Sequence, residues 1–278
     1  MQIKIVTDST CDLPRDIVEK HHITVIPLYI NIGSKGYLDG VELSREEFYK
    51  NLPNYSPHPT TATPGADAFR NTYDRLAREG ATDILSIHIS PSLSATLNVA
   101  QVAAQETKNV NVVTFDSRQL SLGTGFLVQS AAAASQAGAS LQEIIFLLEE
   151  QIQRTHVFAA LDTLKYLRRS GRMNGAIAGL GSLLQIKPIL KMFNGEPTSE
   201  RVRTRERANQ RILNLFREYA PYEKVAIVHS NAPEDASSLY NQVSHLLPEN
   251  NIPIVEITPV IGAHIGPGAS GFAVVSKK

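Results

Sequence analysis

The feature that most restricts the fold is a repeated alternation, in the first half of the chain, between short apolar segments and amphipathic ones. Residues 3–7, 84–89 and 111–115 are apolar and rich in β-branched side chains, which is typical of strands buried in a sheet. Segments with apolar residues at helical spacing follow them along the chain. Strands that alternate with helices indicate βαβ units, so we predict a mostly parallel sheet in a three-layer α/β/α arrangement.

The second half of the chain follows a different pattern. Asn194 and Gly195, the dipeptide most typical of a two-residue hairpin, separate apolar residues 186–193 from residues 198–204. Because a hairpin joins antiparallel strands, we predict a mixed sheet in this half. The other predicted strands of this half are residues 155–161, 225–229, 253–263 and 271–276.

The change of pattern near Gln153 divides the chain, and its 278 residues are sufficient for two domains. We predict an α/β protein with an N-terminal parallel-sheet domain at residues 1–153. A C-terminal α/β domain with a mixed sheet would occupy residues 154–278.

Charge and cysteine content exclude several classes of protein. Lys and Arg total 27, as do Asp and Glu, so no overall field attracts the chain to nucleic acid, and we expect no such partner. The single Cys11 excludes an internal disulfide framework and a cysteine metal cluster. The start of the chain lacks the zones of a signal peptide, and no apolar run is long enough to span a membrane. We expect a cytoplasmic monomer without a metal, in at most transient contact with membranes.

A hydroxyl-rich turn between a strand and a helix predicts an anion site. Ser90, Ser92, Ser94 and Thr96 follow the predicted strand at residues 84–89, just before a segment with helical spacing. The first N–H groups of a helix lack partners and carry partial positive charge, so a helix start with hydroxyl donors suits an anion. The alternative is that Ser94 simply caps the helix.

Other predicted strands also end in polar residues. Asp8 and Ser9 follow the first strand, and ligands of parallel sheets bind outside the carboxyl ends of the strands. We therefore predict a polar rim there, which Thr61 from a second hydroxyl-rich segment would join. The similar pair Asp116 and Ser117 is interpreted as a turn and helix cap.

The second notable constellation is His264, at the end of the predicted strand at residues 253–263 and before Gly266 and Gly268. These glycines match G-x-G-x-x-G, but they precede a strand and not a helix, so they do not predict a dinucleotide site. The chain also has no G-x-x-x-x-G-K-[ST], G-x-S-x-G or H-E-x-x-H motif. We predict no cofactor and no ATP site.

Charge is uneven along the chain in spite of its zero total. Residues 154–217 carry 13 Lys or Arg against 4 Asp or Glu, an excess of 13 − 4 = 9. Arg201, Arg203, Arg205 and Arg207 alternate, so on a strand they would share one face. A solvated surface is the usual explanation, and a docking face for an acidic partner is the alternative.

Seven short motifs, in order over nearly the whole length, resemble the DegV family of bacterial fatty-acid-binding proteins, the binding subunits of fatty acid kinase. The motifs are residues 6–14, 61–64, 90–96, 116–117, 164–173, 186–190 and 264–268. The resemblance implies a long-chain fatty acid in a tunnel between the two domains. It also implies a kinase subunit that supplies ATP and converts the bound acid to an acyl phosphate for phospholipid metabolism, so this chain would not itself be an enzyme.

The same resemblance assigns roles to particular residues. Thr61 and Ser94, with the backbone N–H of Ala95, would hold the carboxylate, and His264 would be a further, partly charged donor. Three other residues would belong to the head-group network or to the surface that meets the kinase; they are Arg172, Asp8 and Thr63. Residues 176–184, with Ile26 and Leu28, are small or apolar enough to be tunnel walls.

The chain departs from the family pattern at three positions, where Ala62 replaces a serine and Ala95 and Ser170 replace glycines. The change at position 62 removes a hydroxyl group beside Thr61. The change at position 95 adds a methyl group, which limits how closely the backbone can approach an anion.

Two other functions stay open at this point. A serine hydrolase would use Ser94 as nucleophile, His264 as base and Asp8 to orient the base. A binder of small phosphate ligands, related to dihydroxyacetone kinase domains, could use the same anion site.

Overall fold

The structure, a computed structural model, describes residues 2–172, 186–247 and 252–277. Its strands are β1 (Ile3–Asp8), β2 (Thr24–Ile26), β3 (Tyr29–Ile32), β4 (Lys35–Leu38), β5 (Thr60–Ala62), β6 (Asp83–His88), β7 (Asn111–Asp116), β8 (Thr155–Ala160), β9 (Lys187–Phe193), β10 (Glu196–Val202), β11 (Tyr222–Ser230), β12 (Ile254–Glu256) and β13 (Ala269–Ser276). Its α-helices are α1 (Arg15–Lys20), α2 (Arg45–Asn51), α3 (Ala66–Arg78), α4 (Thr96–Glu106), α5 (Ser121–Gln136), α6 (Leu141–Ile152), α7 (Lys165–Arg169), α8 (Arg205–Glu218), α9 (Pro233–Val243) and α10 (Pro259–Ile265).

The first sheet has four parallel strands in the order β2-β1-β6-β7. Because side chains of a strand alternate between the two faces, neighbouring residues of β1 enter different cores. Ile5 packs with Leu127 and other residues of α5 and α6, whereas Val6 packs with Phe69 of α3 and Ala100 of α4. Helices therefore cover both faces, which confirms the predicted α/β/α arrangement.

The second sheet has six strands in the order β10-β9-β8-β13-β11-β12, with one parallel pair, β11 and β12. Asn194 and Gly195 connect β9 to β10 with φ angles of 46° and 84°, the positive values that a tight hairpin turn requires. Helices α8 and α9 cover one face of this mixed sheet, and Leu122 and Phe126 of α5 pack against the other. The mixed sheet and its hairpin confirm the prediction.

The change from one sheet to the other falls between the end of α6 at Ile152 and the start of β8 at Thr155. All strands of the parallel sheet precede this point, and all strands of the mixed sheet follow it. A division into domains at residues 1–153 and 154–278 remains our proposal. Among the described residues, no helix is long and apolar enough to cross a membrane.

A third sheet of three antiparallel strands, β4-β3-β5, was not expected from the sequence. Thr61 lies in β5 and pairs with Ile30 of β3. The hydroxyl-rich segment before α3 therefore includes a strand. Ile30 is fully buried in the core that also contains residues of the mixed sheet. The small sheet thus fixes Thr61 against the second half of the chain.

The predicted strand at residues 253–263 is wrong for most of its length. Only Ile254–Glu256 is a strand, and Pro259–Ile265 forms helix α10, which contains His264. Thr258 occupies the N-cap position and Pro259 the first turn, where proline is favoured. Residues 259–263 are all buried, and periodicity alone cannot distinguish a short buried helix from a buried strand.

The alternating arginines do not share one face, because β10 ends at Val202 and α8 begins at Arg205. Arg205 forms an ion pair with Asp235 and donates to the carbonyl oxygen of Gly268, so it ties α8 to neighbouring segments. Arg201 and Arg203 are exposed.

Candidate functional site

An apolar cavity of about 190 Å³ lies between the carboxyl ends of the parallel strands and the inner face of the mixed sheet. Val157, Ala159 and Leu161 alternate along β8 and its end, so all three face the cavity. Leu190 and Met192 lie opposite Ala159 and Val157 in the sheet and extend this apolar wall. Other apolar lining residues are Ile89, Leu93, Leu120, Leu167, Pro197, Val228, Ile257, Val260, Ile261, Ile265 and Ala269.

One end of the cavity is polar, and two segments distant in the sequence build it. Thr61 Oγ1, in β5, lies 3.0 Å from His264 Nε2, in α10. Thr61, Ser94, His264 and Arg172 all line the cavity. The structure therefore brings together four of the residues that the sequence analysis selected.

A chain of hydroxyl groups supports Ser94. Ser94 Oγ lies 2.8 Å from Thr96 Oγ1, which lies 3.0 Å from Thr63 Oγ1. Helix α4 begins at Thr96 and its N-cap position is Ala95, so the alternative interpretation of Ser94 as the N-cap residue is wrong. Ser94 still accepts a hydrogen bond from the N–H of Thr96, at 3.3 Å. Thr63 therefore acts on Ser94 through the fully buried Thr96.

His264 is neutral in this structure. Burial, the nearby charge of Arg172 and the nearby His58 together lower the pKa of His264 to about 4. This low pKa favours the neutral imidazole, so the expected partial charge of His264 depends on a carboxylate beside it and stays a prediction. His264 Nδ1 is buried and has no hydrogen-bond partner among the described residues.

Arg172 lies at the exposed margin of the cavity, where its guanidinium donates to the carbonyl oxygen of Ser170 at 3.4 Å. Of the expected tunnel walls, residues 176–184 lie outside the described residues. Ile26 and Leu28 are buried in separate cores and are not part of the described cavity lining.

Asp8 lies in a buried network and does not contact His264. Its carboxylate is 2.8 Å from His88 Nδ1 and accepts from the N–H of Ile89 at 3.3 Å. Burial raises the pKa of Asp8, but the hydrogen bond and charge of His88 outweigh it, and the pKa is lowered. Asp8 thus holds the backbone just before the hydroxyl-rich turn.

The hydrolase alternative needs a Ser94–His264–Asp8 triad, and the described structure does not form one. His264 is hydrogen-bonded to Thr61, Ser94 to Thr96, and Asp8 to His88. The described residues also include no group of His, Cys, Asp or Glu that could hold a metal ion.

Sequence reasoning missed several polar residues around the cavity. His58 Nε2 lies 2.8 Å from the carbonyl oxygen of Ala263, and its ring lies against Tyr166. Thr10, Ser121 and His229 line the cavity away from Thr61. Thr10 falls within the motif at residues 6–14, but no motif marks His58, Ser121 or His229, because they become neighbours only through packing of the sheets.

The fold and this site define an α/β protein with a parallel sheet, a mixed sheet and a small antiparallel sheet around an apolar cavity that carries hydroxyl groups. The chain belongs to the DegV family, since a family model described as "Uncharacterised protein, DegV family" matches residues 2–277. This finding confirms the resemblance seen in the sequence.

Individual relatives agree with this assignment over their full length. A DegV domain-containing protein of Streptomyces coelicolor is 36% identical over 281 residues, and the match covers 99% of each chain. DegV from Bacillus subtilis, whose crystal structure is described as that of a fatty acid binding protein, is 32% identical to this chain. The two structures superpose with a TM-score of 0.91, and the match covers 100% of each chain. A DegV family protein from Thermus thermophilus, described by its fatty acid binding, is 35% identical with a TM-score of 0.90, covering 99% of this chain and 100% of that one.

Proposed function

We propose that this protein binds a long-chain fatty acid, with the carboxylate at Thr61 and Ser94 and the acyl chain in the apolar cavity. The observation that carries this proposal is the hydrogen-bonded pair of Thr61 and His264, both of which line an apolar cavity together with Ser94. The fatty acid binding described for the relatives from Bacillus subtilis and Thermus thermophilus supports it.

The hydroxyl chain at Ser94 suits a carboxylate because each hydroxyl has a single proton to donate. If Thr63 donates to Thr96 and Thr96 donates to Ser94, the proton of Ser94 stays free for the ligand. Hydrogen bonds in such chains polarise one another, so Ser94 becomes a better donor than an isolated serine.

The pair of Thr61 and His264 can be counted in the same way. If neutral His264 carries its proton on Nε2 and donates it to Thr61 Oγ1, the proton of the Thr61 hydroxyl remains for the ligand. Protonation of His264 would add a second donor, and a carboxylate nearby favours the protonated form. We therefore infer that a bound fatty acid raises the pKa of His264 above the value of about 4 that burial and Arg172 give it.

The departures from the family pattern are compatible with this site. Ala95 has a φ of −78°, which any residue adopts without strain, so glycine is not required there. Its N–H precedes α4 and has no acceptor among the described residues, so it can serve as a further donor. Ser170 has a φ of −87°, and the left-handed position next to it is taken by Gly171.

Burial of the acyl chain is the larger contribution to affinity. Each methylene removed from water stabilises binding by roughly 0.8 kcal/mol, so about fifteen give on the order of 12 kcal/mol before entropic costs. The apolar cavity lining suits this contribution and argues against a small phosphate ligand.

We further propose that the protein presents the carboxylate to a separate ATP-dependent fatty acid kinase. The chain has no P-loop motif of its own. Arg201 and Arg203 are exposed at the end of β10 and suit an acidic partner surface, whereas Arg205 is occupied by Asp235.

Lipid extraction and titration test the binding proposal. Protein purified from a bacterial host should release fatty acid on extraction, detected by mass spectrometry. Delipidated protein should bind acids of fourteen to eighteen carbons by isothermal titration calorimetry. Failure to bind any of them contradicts the proposal, and turnover of acyl esters that Ser94→Ala abolishes would favour the hydrolase instead.

A further inference from the structure

The polar lining of the cavity includes Thr10, Ser121 and His229 besides Thr61 and Ser94, and we call these three the inner polar cluster. Continuous hydrogen bonds connect the segments that carry them. Thr10 lies two residues before Asp12, and Asp12 accepts from Ser121 Oγ at 2.7 Å and from the N–H of Thr258 at 2.7 Å. The residue before Thr258, Ile257, donates its N–H to the carbonyl oxygen of His229 at 2.8 Å.

The hydrogen bonding of His229 determines which ring nitrogen carries its proton. Nδ1 accepts a hydrogen bond from the N–H of Ala232 at 3.3 Å, so Nδ1 is unprotonated and Nε2 is the N–H donor. Burial and the nearby charge of Arg45 lower the pKa of His229, which keeps the ring neutral. Among the described residues, the hydrogen bond of the His229 ring is the one at Nδ1, so Nε2–H can donate to a ligand.

The two hydroxyl groups of the cluster are acceptors toward the cavity. Thr10 Oγ1 donates its proton to the carboxylate of Asp8, and Ser121 Oγ donates to the carboxylate of Asp12. An ionised carboxylate can only accept, so neither hydroxyl keeps a proton for a ligand. Each oxygen retains a lone pair.

We propose that the inner polar cluster binds a hydroxyl group carried within the acyl chain, so that the cavity accepts hydroxylated fatty acids. This inference rests on the proposed function. An alcohol both donates and accepts one hydrogen bond, which matches one N–H donor beside two acceptor oxygens. A carboxylate does not match, because the hydroxyls cannot donate to it and Asp8 and Asp12 lie behind them.

Helix α10 separates the inner polar cluster from the carboxylate end. Thr258 is the N-cap of α10, and His264 lies six residues further on, near its end. At a rise of about 1.5 Å per residue, the two ends are roughly 9 Å apart. The favoured hydroxyl is therefore in the interior of the chain and not beside the carboxylate.

Competition between two ligands tests this inference. Affinities for stearic acid and for stearic acid hydroxylated near mid-chain are measured by calorimetry with delipidated wild-type protein, His229→Leu and Thr10→Val. Loss of one neutral hydrogen bond corresponds to a factor of about two to ten, so the affinity ratio of hydroxylated to plain acid should fall by that factor in each variant. His156→Leu is the control, because His156 stacks between Phe193 and Tyr219 outside the cavity, and its ratio should equal that of the wild type.

The outcomes separate the two proposals. If wild-type protein binds neither acid, the proposed function fails. If it binds stearic acid and the ratio is the same in His229→Leu, Thr10→Val and wild type, the cluster holds only water and the hydroxyl subsite is wrong. For stearic acid hydroxylated beside the carboxylate, the ratio of its affinity to that of plain stearic acid should be the same in both variants as in wild type. If this ratio falls as much as it does for the mid-chain hydroxyl, the interior position of the subsite is wrong.

Discussion

Gly262 lies so close to Tyr49 that a Cβ at position 262 would be 2.4 Å from the tyrosine hydroxyl oxygen. The ring of Tyr49 is buried, and its hydroxyl donates to the carbonyl oxygen of Ile257 at 3.0 Å. This contact holds α10, and with it His264, against α2. A glycine in the helix therefore fixes one wall of the candidate site.

Replacement of this glycine should disturb both stability and binding. We expect Gly262→Ala to lower the free energy of unfolding by about 1–3 kcal/mol, because the added methyl group overpacks a buried contact. Displacement of α10 should also weaken fatty acid binding. Gly65→Ala is the matched control, since nothing lies within 4 Å of the added Cβ, and it should cost no more than about 1 kcal/mol. Equal denaturation curves for the two variants would show that Tyr49 moves aside.

Fatty acid affinity should depend on the hydroxyl groups of Thr61 and Ser94 but not on a neighbouring hydroxyl outside the site. A hydrogen bond to a charged group is worth roughly 1.5–3 kcal/mol, so Thr61→Val or Ser94→Ala should weaken fatty acid binding by about one to two orders of magnitude. Thr60→Val, at an exposed position of the same strand, should leave the affinity unchanged. If Thr61→Val and Ser94→Ala both bind like the parent protein, the carboxylate lies elsewhere.

Binding should be linked to protonation of His264. The pKa of His264 is about 4 without ligand, and a bound carboxylate raises it, so binding takes up a proton. The sign follows from linkage: affinity should increase as pH falls through the pKa of the liganded state. Titrations between about pH 8 and pH 5.5 should show a steeper increase for wild type than for His264→Gln. Identical slopes would assign the whole pH dependence to the fatty acid.

The buried pair of Asp8 and His88 should be important for stability. The carboxylate of Asp8 accepts hydrogen bonds from Thr10, Ile89 and His88, and a buried group left without its partner costs about 1–3 kcal/mol, so we expect Asp8→Asn to lower the free energy of unfolding by at least that amount. Asp83→Asn is the control, because the carboxylate of Asp83 is partly exposed at the start of β6. It should lower the free energy of unfolding by less than about 1 kcal/mol. Equal, small effects in urea denaturation would mean that a neutral pair serves equally well.

The proposed kinase contact predicts a separation of two activities. Charge reversal at Arg201 and Arg203 should reduce phosphorylation of the bound acid by a kinase subunit, because long-range attraction to an acidic surface is lost. Fatty acid affinity should stay unchanged, since neither residue lines the described cavity. Arg207→Glu, in the first turn of α8, is the control for each single reversal, Arg201→Glu or Arg203→Glu, because it changes the charge by the same amount. Parallel loss of both activities would indicate a structural role.

Local patterns in the sequence were sufficient to predict the parallel sheet and the mixed sheet, but not the small third sheet. Alternation of strands and helices in the first half led to the parallel sheet, and Asn194 with Gly195 led to the hairpin of the mixed sheet. These features are encoded over a few residues, by side-chain periodicity and by backbone conformations that only certain residues adopt easily. The hydroxyl-rich turn before α4 was visible for the same reason.

Side-chain periodicity did not predict the type of element where every side chain is buried or where the element is short. The apolar run at residues 259–263 carried no periodic signal, because every side chain there is buried. The strand β5, of three residues, was too short to be distinguished from a loop, although it positions Thr61.

The sequence by itself determined the two sheets, the hydroxyl-rich turn and the family motifs. Only the tertiary structure decided that Thr61 meets His264, 203 residues away, and that Asp8 pairs with His88 and not with His264. The low pKa of His264 and the position of the inner polar cluster likewise depend on how distant segments of the chain pack around these residues. The physical reason is that periodicity and turn preferences act between near neighbours, whereas these contacts arise when the mixed sheet closes over the edge of the parallel one.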